Sequence, residues 1–511
     1  MNVHFSVISN FQKTFGYFKG KCNYYLSITI DFLFKKWLAY SLITREINHS
    51  NIYQILYPYL IYLISYSKKY NLMAIKTNIY SRKICYDILH SVFNEGSLAH
   101  DFFNSESLWG KLENRDRAFA KLLVMSCIRQ HGQLNICINH FLKKSPKPQI
   151  RTIIMLGVAQ LLILRTEPHA AIHTSVSLAR HLTGESYTGL TNGVLRTIAR
   201  SGEKIFAATS PADNLPVFFR KNWSDNWGET SVQEIMQLAQ NQPPLDITLK
   251  NMSENSKIEW SKKLSAKLIS SNSIRLKPVA DVTKLAGYEE GEWWVQDCAA
   301  ALPAKLMRDV RGKHIIDLCA APGGKTAQLI SSGALVIAID KSRKRIKRLT
   351  DNLDRLRLNA KVICSDGRNY KPEFLVDGVL LDAPCSASGT IRRRPDVLIG
   401  KTPQQILELQ SLQIELCLAA SKWIKSGGTL VYATCSLQRE EGEEVIKAII
   451  SNPKAGLSLD PIDKDEVGIF YPFNRKQTTS EYLRILPNQL VNTNTDLLGN
   501  DGFFIARFKV K

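Results

Sequence analysis

Asp317–Thr326 reads DLCAAPGGKT, and the apolar run His314–Cys319 leads into it. A buried strand therefore passes into a turn holding Gly323 and Gly324, and a helical pattern follows. Glycines in such a turn let the backbone approach a ligand closely, and the first N–H groups of the next helix lack partners. Downstream, short buried-strand runs recur at Leu335–Asp340, Lys361–Cys364, Gly378–Asp382 and Thr429–Ala433, and Phe503–Val510 makes a last strand. Helical patterns lie between them, notably Ser342–Leu356 and Pro403–Trp423. This alternation predicts a doubly wound α/β domain over 304–511, mostly parallel, with its ligands at the carboxyl ends of the strands.

Upstream the pattern changes. From Thr77 to about Arg200 the periodicity is helical throughout. Ile79, Ile84, Ile88, Leu89 and Val92 suit one helix face, and Phe119, Leu122, Leu123 and Ile128 suit another. Ile150–Leu164 is apolar nearly all round, as a central bundle helix would be. Pro168 opens a helix that Gly184 closes, and a last one runs near Gly189–Ala199. An all-α domain over 73–205 follows from these readings. Between it and the α/β domain, 206–303 gives mixed signals: strands at Leu245–Lys250 and Ser273–Lys277, and a helix at Ser256–Ile269. A linker and small α/β connecting subdomain are expected there. Residues 1–72 are rich in Tyr, Phe, Ile, Asn and Lys without a clean period, and read as an extension, with Met73 a candidate start.

The 511 residues are 44% hydrophobic, which excludes a disordered chain and suits two to four domains. Lysine and arginine number 67 against 46 acids, a net charge of +21 that favours a polyanionic partner. Ten cysteines without a CxxC pair fit neither a disulfide framework nor a zinc motif, so no metal is expected and a reducing cytoplasm is the simpler home. The longest apolar stretch, Ile52–Tyr66, is too short for a membrane span and is interrupted by Gln54 and Pro58. No membrane association is expected, and the chain is read as a monomer.

Two ligands compete for the glycine turn. GGKT resembles the end of a phosphate-binding P-loop, but Cys319 stands where that loop needs its first glycine. The alternative is a nucleoside cofactor such as S-adenosylmethionine. Asp340 ends the second strand about where an acid meets ribose hydroxyls; Asp366 ends the third and Asp382 the fourth. Any one of them could be a helix cap, but three in succession point to a site. Cys385, in DAPCS, and Cys435, in ATCS, both lie just past strand ends. A cysteine is more often a small buried hydrophobe, yet here two thiols open onto the expected crevice. Thiolate addition at C6 of a pyrimidine makes C5 nucleophilic enough to attack a sulfonium methyl group, and an acid hydrogen bond at N3 promotes the addition.

Residues 313–511 resemble the RNA (cytosine-5)-methyltransferases through DLCAAPGGKT, VIAID, SDGR, LLDAPCSASGT and YATCS. HAAIHTSVSLAR and Gly189–Arg196, GLTNGVLR, resemble a NusB-like RNA-binding domain. The combination is similar to the bacterial ribosomal RNA small-subunit methyltransferase B (RsmB/Fmu/Sun) family. That resemblance implies a Rossmann-like catalytic domain that uses S-adenosylmethionine to methylate C5 of one cytosine in 16S ribosomal RNA. It implies that Cys319, Ala320, Ala321, Pro322, Gly323, Gly324 and Lys325 surround the methionine part of the cofactor. Asp340 would hold the ribose, Asp366 would lie near the adenine, and Asp382 would stand between cofactor and base. Cys435 becomes the nucleophile and Cys385 an assistant in release. The residues alone leave the two thiols unranked, since a cysteine after a proline, as Cys385 is, is the nucleophile in DNA cytosine methyltransferases. A tRNA substrate, a non-catalytic RNA-binding or assembly factor and a P-loop NTPase remain the competing readings.

For the RNA side, Lys341–Arg348 (KSRKRIKR) and Ile391–Asp396 (IRRRPD) offer clustered positive charge. Trp293 and Trp294 could stack on bases, although packing is the simpler reading.

Overall fold

The structure is a computed structural model that describes residues 79–511, apart from 104–108, 111, 270–272, 280, 471–478 and 490–498. The extension 1–72, Met73 and the apolar stretch Ile52–Tyr66 lie outside the described residues. Among the described residues no helix is long and apolar enough to cross a membrane.

The helical domain consists of α1 (79–95), a short turn of helix at Ala99–Phe103, α2 (Asn114–Arg129), α3 (His131–Phe141), α4 (Pro148–Leu162), α5 (Pro168–Thr183) and α6 (Thr188–Ala207). Ile84, Ile88, Leu89 and Val92 of α1 enter its core with Leu123 and Ile128 of α2. Twelve of the fifteen residues of α4 are buried, which makes it the central helix. Gly157 lets its neighbours close in: a Cβ there would meet Leu195 of α6 at 2.6 Å and Ser175 Oγ of α5 at 2.9 Å. Leu122 is 55% exposed, contrary to the expected face. At about 100° per residue it lies about 160° from buried Val124, on the opposite side of the helix, and points outward. Helix α6 also runs past the expected Ala199 to Ala207.

The connecting region opens with two helices that the sequence reading did not separate, α7 (Val217–Trp227) and α8 (Glu229–Ala239). Their apolar faces pack on Ile391, Val397, Leu398 and Leu437 of the following domain. A four-stranded antiparallel sheet follows, in the order β2-β3-β1-β4: β1 is Leu245–Leu249, β2 Lys267–Leu268, β3 Ser273–Leu276 and β4 Trp293–Val295. The helix expected over Ser256–Ile269 is α9, Glu254–Lys263, and stops short. Ser265 adopts a left-handed φ of 49° and turns the chain back into β2.

The third domain is built on an eight-stranded sheet, order β10-β14-β9-β8-β5-β6-β7 with β13 also on β14. Here β5 is His314–Leu318, β6 Leu335–Asp340, β7 Lys361–Cys364, β8 Val376–Asp382, β9 Ile424–Thr434, β10 Leu457–Leu459, β13 Tyr482–Ile485 and β14 Phe503–Val510; β11 (Ile462–Asp463) and β12 (Thr479–Ser480) form a separate pair. Strands β5 to β9 are parallel, β14 runs antiparallel to β9, and β10 and β13 each pair antiparallel with β14. Alternation assigns the two faces. Leu430, Tyr432, Phe504 and Phe508 join one core, and Val431, Ala433, Phe503 and Ile505 the other, as a sheet covered on both sides requires. Helices α10 (Gly324–Ser331), α11 (Arg343–Leu356), α12 (Pro403–Ser421) and α13 (Glu443–Ile450) supply the covering layers with shorter segments. The strand order reverses at β5, between β6 on one side and β8 on the other. That reversal opens a crevice at the carboxyl ends of β5 and β8.

Candidate active site

The turn from β5 to α10 is shaped by two left-handed residues, Cys319 at φ 64° and Gly323 at φ 102°. Trp294 packs beneath it against Ala320, Ala321 and Ala327, and its indole N–H donates to Gln296 Oε1 at 2.8 Å. With Trp293 fully buried as well, both tryptophans act in packing rather than in base stacking. Asp340, at the end of β6, accepts from Ala321 N at 3.3 Å and from Ser342 N at 3.0 Å. Arg345, expected among RNA-binding charges, instead ion-pairs with Asp340 at 3.3 Å and donates to the Ala321 carbonyl. Asp366 stands apart at the end of β7. Its carboxylate is taken up by Arg368, whose hydrogen bonds pull it down to about pKa 2.

Lys325, on the first turn of α10, reaches across to Asp382 at the end of β8, with Nζ 2.7 Å from Oδ2. Burial works against the ammonium, but the charge and hydrogen bond of Asp382, with a contribution from Cys435, raise its pKa. Asp317 is fully buried behind this pair; Thr326 Oγ1 donates to one of its oxygens at 2.5 Å and the other has no partner. Burial raises it to about pKa 7. Cys319 is likewise pushed up to about 12 by burial, then by Asp340 and Asp382.

Cys385 follows β8 and Cys435 follows β9, neighbouring parallel strands, so their thiols meet with Sγ atoms 3.5 Å apart. The hydrogen bond to Cys435, then burial, holds the Cys385 thiol well above its ordinary pKa. Cys385 thus keeps its proton, and either sulfur can donate to the other across this contact.

Residues 304–509 match the model of a family described as 16S rRNA methyltransferase RsmB/F, and 80–200 match that of the NusB family. The ribosomal RNA small subunit methyltransferase B of Cronobacter sakazakii is 36% identical over 363 residues, which cover 67% of this chain and 83% of the relative. The chain belongs to the RsmB/F family. The Klebsiella pneumoniae enzyme of the same name is 34% identical over 394 residues, 74% of this chain and 90% of the relative. In fold, the crystal structure of PH0851 is similar with a TM-score of 0.65 at 20% identity, covering 84% of this chain and 98% of that one. The protein is therefore an RNA methyltransferase, with a NusB-type helical domain preceding its catalytic sheet.

The family's motifs do not contain everything that holds the site. Ser386 and Ser436, each directly after a thiol, both donate to the buried carboxylate of Glu441, at 2.5 and 2.6 Å. Glu441 lies in the run Arg439–Glu444, REEGEE, one acid among four. Within the IRRRPD run, Arg392 needs correcting as an RNA contact. Arg392 is 2% exposed, donates to Asn500 O and Asp297, and is structural. Arg393 forms an ion pair with buried Asp501. These two guanidiniums join three distant segments, Arg393 through Nε and Nη2 with its side chain still 41% exposed. Asp246, Asp297 and Cys298 also come within 4.8 Å of one another, as metal ligands would. Arg275 fills that role instead, with two bonds to Asp246 at 2.6 and 2.7 Å and one to Cys298 Sγ at 3.5 Å.

Proposed function

We propose that the protein transfers a methyl group from S-adenosylmethionine to C5 of one cytosine in 16S ribosomal RNA, through a covalent bond between Cys435 and C6. The observation that carries this reading is the thiol pair, 3.5 Å apart, on the strands beside the Lys325–Asp382 ion pair. A P-loop enzyme or a scaffold has no use for it.

The residues present fit the cofactor. The left-handed turn and the N-terminus of α10 leave room for backbone contact, and a Cβ added at Gly324 would come no nearer than 3.6 Å to Trp294. Asp340 and Asp366 end successive strands where hydroxyl and amino groups need acceptors, and Asp317 keeps one buried oxygen without a partner. Cys319–Lys325, Asp340 and Asp366 would hold the group, with Asp382 between it and the base. When bound, it supplies a methyl group on a sulfonium sulfur.

The chain's own residues do the rest. Cys435 Sγ bonds to C6, and the C5–C6 electron pair moves toward C5. Lys325 and Asp382, with a donor and an acceptor 2.7 Å apart, hold a proton at N3 and so draw charge away from C6. After methylation and loss of the C5 proton, the C5–C6 double bond re-forms and Cys435 leaves as a thiolate. Cys385, still protonated, stabilises that leaving sulfur. A base must leave its stack for this attack, so the target is unpaired or locally opened RNA. Ribosomal RNA as substrate puts the enzyme in the cytoplasm.

On the RNA side, the groove between α5 and α6 supports docking by the helical domain. It encloses about 490 Å³, and its lining includes exposed His169, His173, Arg196 and Arg200 over an apolar floor of Ile172 and Val176.

The test is transfer of labelled methyl groups from S-adenosylmethionine to 16S RNA and to total tRNA, with the product read by bisulfite sequencing. One 16S cytosine should be methylated by the wild type and none by Cys435→Ala. Cys385→Ala should accumulate a covalent RNA–protein complex. Loss of transfer in Cys385→Ala alone, without trapping, would exchange the two roles. Methylation of tRNA alone would overturn the substrate.

A further inference from the structure

Glu441 is fully buried, and its carboxylate meets four donors. Oε1 accepts from Ser386 N at 2.8 Å and from Gln413 Nε2 at 3.2 Å. Oε2 accepts from Ser386 Oγ at 2.5 Å and Ser436 Oγ at 2.6 Å. A carboxylate has about four lone-pair positions, and here all are used. The donors come from helix α12 and from two loops whose strands pair as far as Asp382 and Ala433, beyond which Gly389 N donates to Cys435 O at 2.9 Å. Ser386 follows Cys385 after β8, Ser436 follows Cys435 after β9, and Gln413 ties in the first loop again by donating to Pro384 O at 2.9 Å. Ser388 completes the seam: it accepts from Leu437 N at 2.8 Å, and its hydroxyl lies 3.3 Å from that of Ser436. Tyr432 holds the backbone of Glu441 itself, with its hydroxyl 2.7 Å from the carbonyl.

We propose that Glu441 is a positioning residue for the methyl transfer: one buried carboxylate clamps the two thiol loops together and fixes the spacing of Cys385 and Cys435. A core that only needed filling would be served by an apolar side chain. A buried acid stitched to the residue after each thiol instead supplies direction. Burial alone would push its proton on, and the four donors oppose that by favouring the charged form. The serines must turn their hydroxyls toward it, which fixes the backbone one residue from each sulfur. Glu441 touches neither thiol's sulfur in this arrangement; it acts through Ser386 and Ser436.

The role in methyl transfer rests on the function proposed above, whereas the clamp is measurable without it. Phenylarsine oxide bridges two thiols only when they are held side by side, releasing one water. Its affinity would be measured for wild type, Glu441→Gln and the double variant Ser386→Ala/Ser436→Ala, with Cys435→Ser as the non-bridging control. Both clamp variants should bind it about 10-fold more weakly. Their kcat per competent site, counted by trapping on RNA containing 5-fluorocytosine, should fall about 10–100-fold with KM for S-adenosylmethionine unchanged. Wild-type arsenical affinity and turnover per site in either folded variant would overturn the clamp, as would failure of both variants to fold. A wild type that bridges the arsenical but methylates neither 16S RNA nor tRNA would overturn the functional reading alone, with the arsenical still deciding the clamp.

Discussion

Asp317, buried within β5, and Asp366, just past the end of β7, have opposite electrostatic fates. Asp366 is held low, at about 2, by the hydrogen bonds of Arg368. Asp317, buried with one oxygen unpartnered, is raised to about 7 from a reference of 3.8. Between those two values the folded chain binds a proton that the unfolded chain has released. Folding stability therefore falls as pH rises from about 4 through about 7, and this contribution is flat above that. Asp317→Asn keeps an acceptor for Thr326 and has no proton to lose. Its melting temperature relative to wild type should rise from pH 5 to pH 8. Thermal melts at both pH values decide it, and a gap that does not change with pH would mean that the Asp317 carboxyl is already ionised at pH 5. The raised value also bears on the site, because a neutral Asp317 leaves Lys325 to pair with Asp382 alone.

At the scale of elements, the loop after β9 is held from outside its own domain. Trp223 of α7 is fully buried and donates to Gln438 Oε1 at 2.5 Å, and Trp227 donates to the Leu437 carbonyl at 3.1 Å. Trp223→Phe keeps most of the apolar contact but leaves a buried amide oxygen without its donor, a loss of about 1–3 kcal/mol. Urea denaturation should register that loss, and kcat should fall with it because Gln438 is three residues from Cys435. An unchanged kcat at reduced stability would mean that α7 supports the fold and not the loop. This contact also shows where the sequence stopped being legible. The strands β5 to β9 could be read because each is a short apolar run ending in a polar or reactive residue, and Cys385 and Cys435 stood out at two such ends. Helices α7 and α8 could not, because their apolar faces are completed by Ile391, Val397 and Leu437, which lie far along the chain. Glu441 was hidden among similar acids, and only the fold shows which one is buried. Arg392 misled for the mirror reason: a run of arginines looks solvated until its partners Asn500 and Asp297 are brought together.

At the scale of the whole molecule, the helical domain is fastened to the catalytic sheet by polar contacts with little freedom. Arg129 of α2, pushed down to about pKa 10 by burial and by Arg392, donates to Ala239 O at 2.6 Å and to Arg392 O at 2.7 Å. From the other side, Asp396 accepts from Ala99 N at 2.7 Å. RNA bound by the helical domain would thus meet the thiols in a fixed geometry. The α5–α6 groove sets cations beside aromatic rings: His169 and His173 stack with ring centroids 6.0 Å apart, and Arg196 and Arg200 line it from α6. A net charge of +21 attracts RNA everywhere, so loss of affinity alone would not single out this groove. The salt dependence does, because each phosphate contact removed makes the slope of log K against log salt shallower by about 0.7–0.9. Arg196→Glu/Arg200→Glu should weaken 16S RNA binding and reduce that slope by about 1.4–1.8. Affinity for S-adenosylmethionine, which the proposed function assigns to the β5 turn, should not change. The same double reversal made at Arg165 and Arg180, exposed arginines paired with Glu203 and Glu185, is the comparison. An equal slope change there would spread RNA binding over the whole basic surface and remove the groove from it.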